Sequence, residues 1–159
     1  MPASRSPQLR SLQLGDWAAV YDLMVQQDFP DTPDNLDAAL GEFAQTQGYG
    51  LYSPNGELQA AFILMDFIDQ AACLDVVCAP AMHGKWATPR TLRRLYETLF
   101  VQHGLAYLWA EPKTPRALQT CLQAGFQLLQ LAPQQQTVVV LSRRGLWQRF
   151  HKILSKENH

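Results

Sequence analysis

The sequence predicts an α/β protein of the α+β kind, with one central, mixed but mostly antiparallel twisted sheet and helices on both of its faces. Its 159 residues are 47% hydrophobic and 17% charged, which suits a single domain with a substantial core. Segments with helical apolar spacing alternate with strand-like apolar runs. The dipeptide Asn55-Gly56, between two such runs, is a strong hairpin signal.

Local signals mark where the elements begin and end. Asp16 supplies a capping side chain to the first helix, and Gly48 and Gly50 close the helical region that follows. Thr88-Pro89 is a capping residue followed by the proline best suited to a first helical position. The predicted strands lie at 9–14, 51–52, 58–69, 71–79, 105–110, 126–131 and 137–141, and the predicted helices at 17–27, 34–45, 88–100 and 114–124.

These elements follow the order β-α-α-β-β-β-α-β-α-β-β, in which strands 51–52, 58–69 and 71–79 form an antiparallel meander. No internal repeat or linker interrupts the order. Residues 1–142 are therefore predicted to form one domain, and residues 143–159 an extension to it.

The charge balance and the cysteines limit the partners. Thirteen Lys and Arg nearly balance fourteen Asp and Glu, so the chain as a whole is not expected to bind nucleic acid. The longest apolar run, residues 60–65, is far below the roughly 20 residues of a membrane span, which favours a cytoplasmic protein. Cys73, Cys78 and Cys121 form no C-x-x-C pair, so we expect reduced thiols and no metal site.

The segment that carries chemistry runs from the end of one predicted strand to the start of a helix, and reads VCAPAMHGKWAT over residues 77–88. It resembles the acyl-coenzyme A loop of the GNAT superfamily of N-acyltransferases, whose pattern is Q/R-x-x-G-x-G/A. In that register His83 falls on the Gln or Arg, Trp86 on the first glycine and Thr88 on the last glycine or alanine. The predicted order of helices and strands is also the one expected of this superfamily.

The resemblance implies how acetyl-CoA would be held as a co-substrate. Backbone groups of Val77 and Cys78 would bind the pantetheine arm. Backbone N–H groups of the loop and the start of the next helix would cradle the pyrophosphate. The loop residues that this assigns to acyl-CoA are His83, Gly84, Lys85, Trp86, Ala87 and Thr88. A tryptophan at a glycine position either turns outward or blocks the cleft.

A second landmark lies on the later helix, where the family carries N-x-x-A-x-x-x-Y-x-x-x-G-F. Here Ala117 and Gly125-Phe126 keep the spacing, while Thr114 stands at the Asn position and Cys121 at the Tyr position. The resemblance implies a cofactor contact for Thr114 and makes Cys121 the candidate proton donor to the departing thiolate, although a thiol is a different acid from tyrosine.

Several residues keep two interpretations. His83 either touches a phosphate or is a polar loop residue, and Lys85 and Arg90 either attract phosphate or are merely solvated. Asp66, Asp69 and Asp75 are either candidate bases for the amine or solvated and turn residues.

The run His-Gly-Lys-Trp-x-Thr, with the long helix after it, also resembles a divergent GNAT-like branch of tailed bacteriophages. Two functions follow: transfer of an acetyl or other acyl group from acyl-CoA to an unknown amine acceptor, or a catalytically degenerate structural or interaction protein, as in a virion or its assembly. The second would place the protein in a host cytoplasm or a virion.

The C-terminal extension is basic and amphipathic. Its apolar positions share one face of a helix. This face either packs on the chain's own sheet or docks on a protein partner or a second copy. Contact with a membrane or nucleic acid is a further, less favoured alternative. The apolar positions are Leu146, Trp147, Phe150, Ile153 and Leu154.

Overall fold

The computed structural model of the chain describes residues 7–129 and 137–145. In these residues the predicted order of elements is confirmed. The strands are β1 (Gln8–Ser11), β2 (Gln47–Tyr52), β3 (Leu58–Ile68), β4 (Ala71–Cys78), β5 (Tyr107–Ala110), β6 (Gln127–Leu129) and β7 (Val138–Ser142). The helices are α1 (Asp16–Gln26), α2 (Leu36–Phe43), α3 (Pro89–Tyr96) and α4 (Pro115–Gln123).

The seven strands form one sheet in the order β1-β2-β3-β4-β5-β7-β6. The pairs β1–β2, β2–β3, β5–β7 and β6–β7 are antiparallel, whereas β4 and β5 pair in parallel, from Ala71↔Tyr107 to Cys73↔Trp109. The predicted mixed, mostly antiparallel sheet is therefore confirmed. Because β7 inserts between β5 and β6, the last two strands lie in reverse order.

The chain divides into two compact units that are interleaved along the sequence. The first comprises Met1–Asp66 with Asp75–His83, and the second Phe67–Leu74 with Gly84–His159. The hairpin of β3 and β4 contributes residues to both. Neither unit is a continuous piece of chain, which explains why no linker is visible in the sequence.

In the first unit, α1 and α2 pack on β3 and β4 through one apolar cluster. Trp17 stacks on Phe43 with 4.4 Å between ring centroids, which joins the two helices. The fully or almost fully buried members are Val20, Leu23, Met24, Ala39, Phe43, Ala61, Ile63 and Val77.

Two expectations about the first unit are wrong. Gly48 and Gly50 do not close the helical region but lie inside β2, where a Cβ at Gly48 would come 2.6 Å from Leu12 Cδ1 and 2.7 Å from Trp17 Cη2. Glycine is needed there because two side chains cross the strand. Asp16 does not cap α1, since Gly15 holds the N-cap position and Asp16 accepts the Gln13 amide at 2.8 Å.

In the second unit, α3 begins as predicted at Thr88-Pro89 and continues as a π-helical stretch, Glu97–Gln102. The hydroxyl of Tyr96 donates to the carbonyl oxygen of Ala124 at 2.6 Å, which ties α3 to the end of α4. The predicted apolar face of the helix is confirmed as buried: Leu92, Leu95, Tyr96, Leu99 and Phe100.

The proposed C-terminal face, Leu146, Trp147, Phe150, Ile153 and Leu154, lies outside the described residues. Within the residues described, no helix is both long and apolar enough to cross a bilayer.

Candidate functional site

In the first unit, the end of β4 presents its backbone in two directions. The amide of Ala79 donates to Gln59 on β3 at 2.8 Å. Because backbone groups alternate in direction along a strand, those of Val77 also point toward β3, and those of Cys78 point away from it. Of the two residues predicted to bind pantetheine, Cys78 is the one whose backbone groups are directed away from the neighbouring strand.

His83 binds the backbone of Cys78, which points away from β3. Its Nε2–H donates to the carbonyl oxygen of Cys78 at 3.2 Å, and the ring is partly buried. This bond fastens the loop after β4 back onto the strand, which gives His83 a structural task. It also occupies the Cys78 carbonyl, so the Cys78 amide is the group left to consider for a ligand.

In the second unit, the loop reverses at Gly84, whose φ of +72° favours glycine. A Cβ added at Gly84 would lie 4.0 Å from both Arg116 Cδ and Thr120 Oγ1. The turn therefore passes directly over the middle of α4. The sequence alone did not indicate Arg116 or Thr120 as neighbours of the loop, because that contact joins residues about 30 positions apart.

Trp86 does not turn outward. Only 6% of the residue is exposed, so the indole is buried and anchors the loop. Lys85 before it is exposed and Ala87 after it is half-buried. The loop thus presents a lysine and backbone to solvent while its largest side chain faces inward.

Thr88 caps α3: its hydroxyl oxygen accepts the Thr91 amide at 3.2 Å, and Pro89 occupies the first helical position. A capped N-terminus carries the positive end of the helix dipole. Arg90 is exposed on the first turn, so positive charge collects where the loop enters the helix.

Thr114 has the same task at the start of α4. Its hydroxyl accepts the Ala117 amide at 3.1 Å, which makes it the N-cap. An asparagine at this position in the family pattern would cap equally well. The residue thus has a local role whether or not it also meets a cofactor.

Cys121 is the seventh residue of α4, on its second turn, and is half-buried. Burial raises the pKa of its thiol to about 11, and burial raises that of Cys78 to about 11 as well. A thiol with this pKa stays protonated at neutral pH. Because its pKa is raised, it is a weaker proton donor to a departing thiolate than an unperturbed thiol would be.

The three acidic candidates differ in position. Asp66 and Asp69 are exposed and have φ values of 52° and 53°, in the left-handed region, whereas Asp75 is half-buried on β4. Asp69 belongs to the two-residue turn between β3 and β4. Among the described residues, no three His, Cys, Asp or Glu side chains come together as metal ligands would.

Charge is divided unequally between the two units. The described part of the first unit has Arg10 as its single Lys or Arg, against Asp16, Asp22, Asp28, Asp31, Asp34, Asp37, Glu42, Glu57, Asp66 and Asp75. The described part of the second has Asp69, Glu97 and Glu111, against Lys85, Arg90, Arg93, Arg94, Lys113, Arg116, Arg143 and Arg144. A near-neutral chain thus contains an acidic unit and a basic unit.

The element order, the parallel β4–β5 pair and the capped helix after β4 define the GNAT fold. No protein-family model and no curated protein matches the sequence. Solved structures do match it. Spermidine N-acetyltransferase from Vibrio cholerae, in an intermediate state of its dodecamer, has a TM-score of 0.71 at 15% identity and covers 92% of this chain and 99% of its own.

The same enzyme in complex with CoA and spermine gives a TM-score of 0.70 at 15% identity, over 91% of this chain and 99% of its own. A point mutant of that enzyme gives a TM-score of 0.73 at 15% identity, over 92% of this chain and 99% of its own. At this identity the similarity establishes the fold.

Proposed function

We propose that the protein is an acyl-CoA-dependent N-acyltransferase that transfers an acetyl or other acyl group to an amine. The observation that carries the proposal is the loop from Gly84 to Thr88: it reverses over Arg116 and Thr120 of α4 and then enters a capped, basic helix start. Positive charge and a helix N-terminus together suit a pyrophosphate. One solved structure of similar fold is a complex with CoA, which supports the same ligand.

In this proposal Lys85, Arg90 and Arg116, all in the second unit, attract the phosphates of acyl-CoA. The amine nitrogen attacks the thioester carbonyl carbon, and the carbon–sulfur bond breaks. The amine proton leaves to a base or water, and the thiolate takes a proton from solvent or from Cys121. Because the pKa of Cys121 is about 11, we assign the larger share of that protonation to solvent.

The charge distribution favours a cationic acceptor. Five exposed carboxylates lie within sixteen residues of the first unit, and no lysine or arginine lies between Arg10 and Lys85. They are Asp22, Asp28, Asp31, Asp34 and Asp37. A surface of one sign raises the local concentration of ligands of the opposite sign. The spermine bound by the fold neighbour is such a cation.

The first experiment measures the melting temperature with and without acetyl-CoA. A ligand at a hundred times its Kd adds about 2.7 kcal/mol to stability, which raises the melting temperature of a chain this long by about 5–10 °C. A Lys85→Ala/Arg116→Ala variant is expected to lose most of this shift. Arg93→Ala, an exposed change in the middle of α3, is the matched control and retains it. The absence of a shift at millimolar acetyl-CoA contradicts the proposal.

The acceptor is then tested by following thiol release with spermidine, a basic peptide and an uncharged amine. We expect activity with the cationic amines, falling with added salt because exposed charges are screened. Equal rates with the uncharged amine contradict the cationic acceptor while leaving the CoA result intact.

A second candidate is a non-catalytic structural or interaction protein, such as a component of a bacteriophage virion or its assembly. It is favoured by Thr114 acting as a helix cap and by the high pKa of Cys121, since neither residue then needs to serve catalysis. Binding of acetyl-CoA without release of the CoA thiol in the presence of any of these amines would support it.

A further inference from the structure

The sheet of the second unit has two different faces. Leu108, Val139 and Leu141 are buried on one of them. Helices α3 and α4 both lie on this side, because right-handed crossovers from β4 to β5 and from β5 to β6 place them together. The bond from Tyr96 to Ala124 joins the two helices there.

The opposite face carries apolar side chains that these helices do not cover. Directly paired residues point to the same face, so Trp109 lies beside Val140 and Leu129 beside Val138. Ile68 and Tyr107 are 64% and 53% exposed and Leu129 is 48% exposed, although all three are large and apolar. We call this surface the open sheet face: Ile68, Tyr107, Trp109, Leu129, Val138 and Val140.

The chain leaves the sheet at one end of this face. Ser142, the last residue of β7, pairs with Tyr107, so its side chain is on the same side. The Ser142 Oγ accepts the Gly145 amide at 2.9 Å, the spacing of a helix N-cap, and residues 143–145 are helical. The Arg143 amide donates to Ala106 at 2.8 Å and fixes the exit point. A helix therefore starts beside Tyr107.

We propose that the C-terminal segment, residues 146–159, covers the open sheet face. Its apolar residues fall at helical spacing in the sequence, so they would share one side of a helix. Fourteen helical residues extend about 21 Å at 1.5 Å per residue. Four strand spacings, from β3 to β6, span about 19 Å. The segment thus has the length and the apolar side chains to lie across the face.

The apolar side of the C-terminal segment and the open sheet face would each be unfavourably exposed to water if the other did not cover it. A helix of this length is marginal in water unless its apolar side is buried. A contiguous exposed apolar face on a sheet is rare unless something docks on it. A second copy of the chain is the competing occupant, and the experiment separates the two.

The test measures how fast an added thiol at Ile68 reacts with a thiol reagent. Ile68→Cys is compared in the full chain and in a chain that also carries Trp147→Ser/Phe150→Ser, with the three native cysteines subtracted as background. If the segment covers the face, Trp147→Ser/Phe150→Ser should raise the reaction rate of the added thiol at position 68 at least about tenfold. The reason is that the thiol is then exposed to the reagent most of the time.

Two controls are matched to this change. Gln148→Ser/Lys152→Ser alters the polar side of the same segment and should leave the rate unchanged. Leu14→Cys, at an 85% exposed position of the first unit, should react equally fast in every background. Equal rates at position 68 with and without Trp147→Ser/Phe150→Ser overturn the proposal.

A second measurement leaves the apolar tail nearly intact. Tyr107→Cys/Phe150→Cys is oxidised, and the disulfide is located by peptide mass spectrometry. A crosslink within one chain, independent of protein concentration, supports the proposal. A crosslink between chains, growing with concentration together with a doubled mass, assigns the face to a second copy and overturns it.

Discussion

Trp86 is a large residue at a loop position where the acyl-CoA pattern has a glycine, and it is buried. Enclosing an indole removes a large apolar area from water, so the residue anchors the loop whatever the loop binds. Trp86→Ala is expected to lower the free energy of unfolding by about 3–5 kcal/mol. Urea denaturation measures this loss.

The matched variant is Trp86→Phe, which keeps an aromatic ring and should therefore lower the free energy of unfolding clearly less than Trp86→Ala. A loss below about 1 kcal/mol for Trp86→Ala would show that the indole is not anchored. If Trp86→Ala instead tightened acetyl-CoA binding, the side chain would be filling the cofactor's place.

The two thiols with raised pKa make a prediction about pH. In the unfolded chain Cys78 and Cys121 ionise near 8.5, and in the folded chain near 11. Between these pH values the folded state holds more protons than the unfolded state. The contribution of the two thiols to folding stability is therefore complete below about pH 8.5 and is lost as pH rises toward 11. Melting temperature should therefore fall between pH 9 and 11.

The melting temperature of Cys78→Ala/Cys121→Ala is expected to fall less steeply between pH 9 and 11 than that of the unmodified chain. The melting temperature of Tyr52→Phe should fall as steeply as that of the unmodified chain up to about pH 10 and less steeply above it, because burial and then Asp16 raise the pKa of Tyr52 to about 12. Parallel curves for the double cysteine variant and the unmodified chain would contradict the assignment to the thiols.

At the scale of elements, the two helices after the parallel strands start in the same way. Thr88 and Thr114 each accept an amide three residues on, and each precedes a proline. Replacing Thr114 by alanine should cost about 1 kcal/mol, and Thr114→Asn should restore it because asparagine is an equally good cap. Chemical denaturation of the three proteins provides the comparison.

The same variants separate a cap from a cofactor contact. A cap alone predicts unchanged acetyl-CoA affinity in Thr114→Ala at a temperature where the protein is folded. Loss of affinity that Thr114→Asn restores would add the cofactor role that the sequence resemblance implies.

Elements with a local signal were predictable from the sequence. Thr88-Pro89 marks a helix start and Asn55-Gly56 marks a turn, because the residues that cause the structure are neighbours in the chain. The role of Gly48 was predicted wrongly because glycine is needed there to make room for Leu12 and Trp17, which are more than thirty residues away in the sequence.

Within the candidate site the same limit applies. The capping role of Thr88 was predictable from the sequence, whereas Thr114 was a candidate cofactor residue and its capping role was not predicted. The inward side chain of Trp86 and the passage of Gly84 over Thr120 were not, since both depend on packing between separated segments. Cys78 and His83 were both identified, but the bond that joins them was not.

At the scale of the whole molecule, the insertion of β7 between β5 and β6 was also beyond the sequence. The order of elements along the chain was right, but their order across the sheet depends on pairings such as Trp109↔Val140. The unequal charge of the two units was likewise hidden by a net charge of −1 for the chain. Only the assignment of residues to units reveals it.

The interleaving of the two units has a consequence for synthesis on the ribosome. The first unit is complete only when residue 83 has emerged, because it needs Asp75–His83. The first part of β4 must then wait for Tyr107 and its neighbours, more than twenty residues later, before its parallel partner exists. Pairings of long sequence separation form slowly and leave strand edges exposed meanwhile. Until Tyr107 and its neighbours have emerged, the first part of β4 has no parallel partner, and an unpaired strand edge of this kind is prone to aggregation.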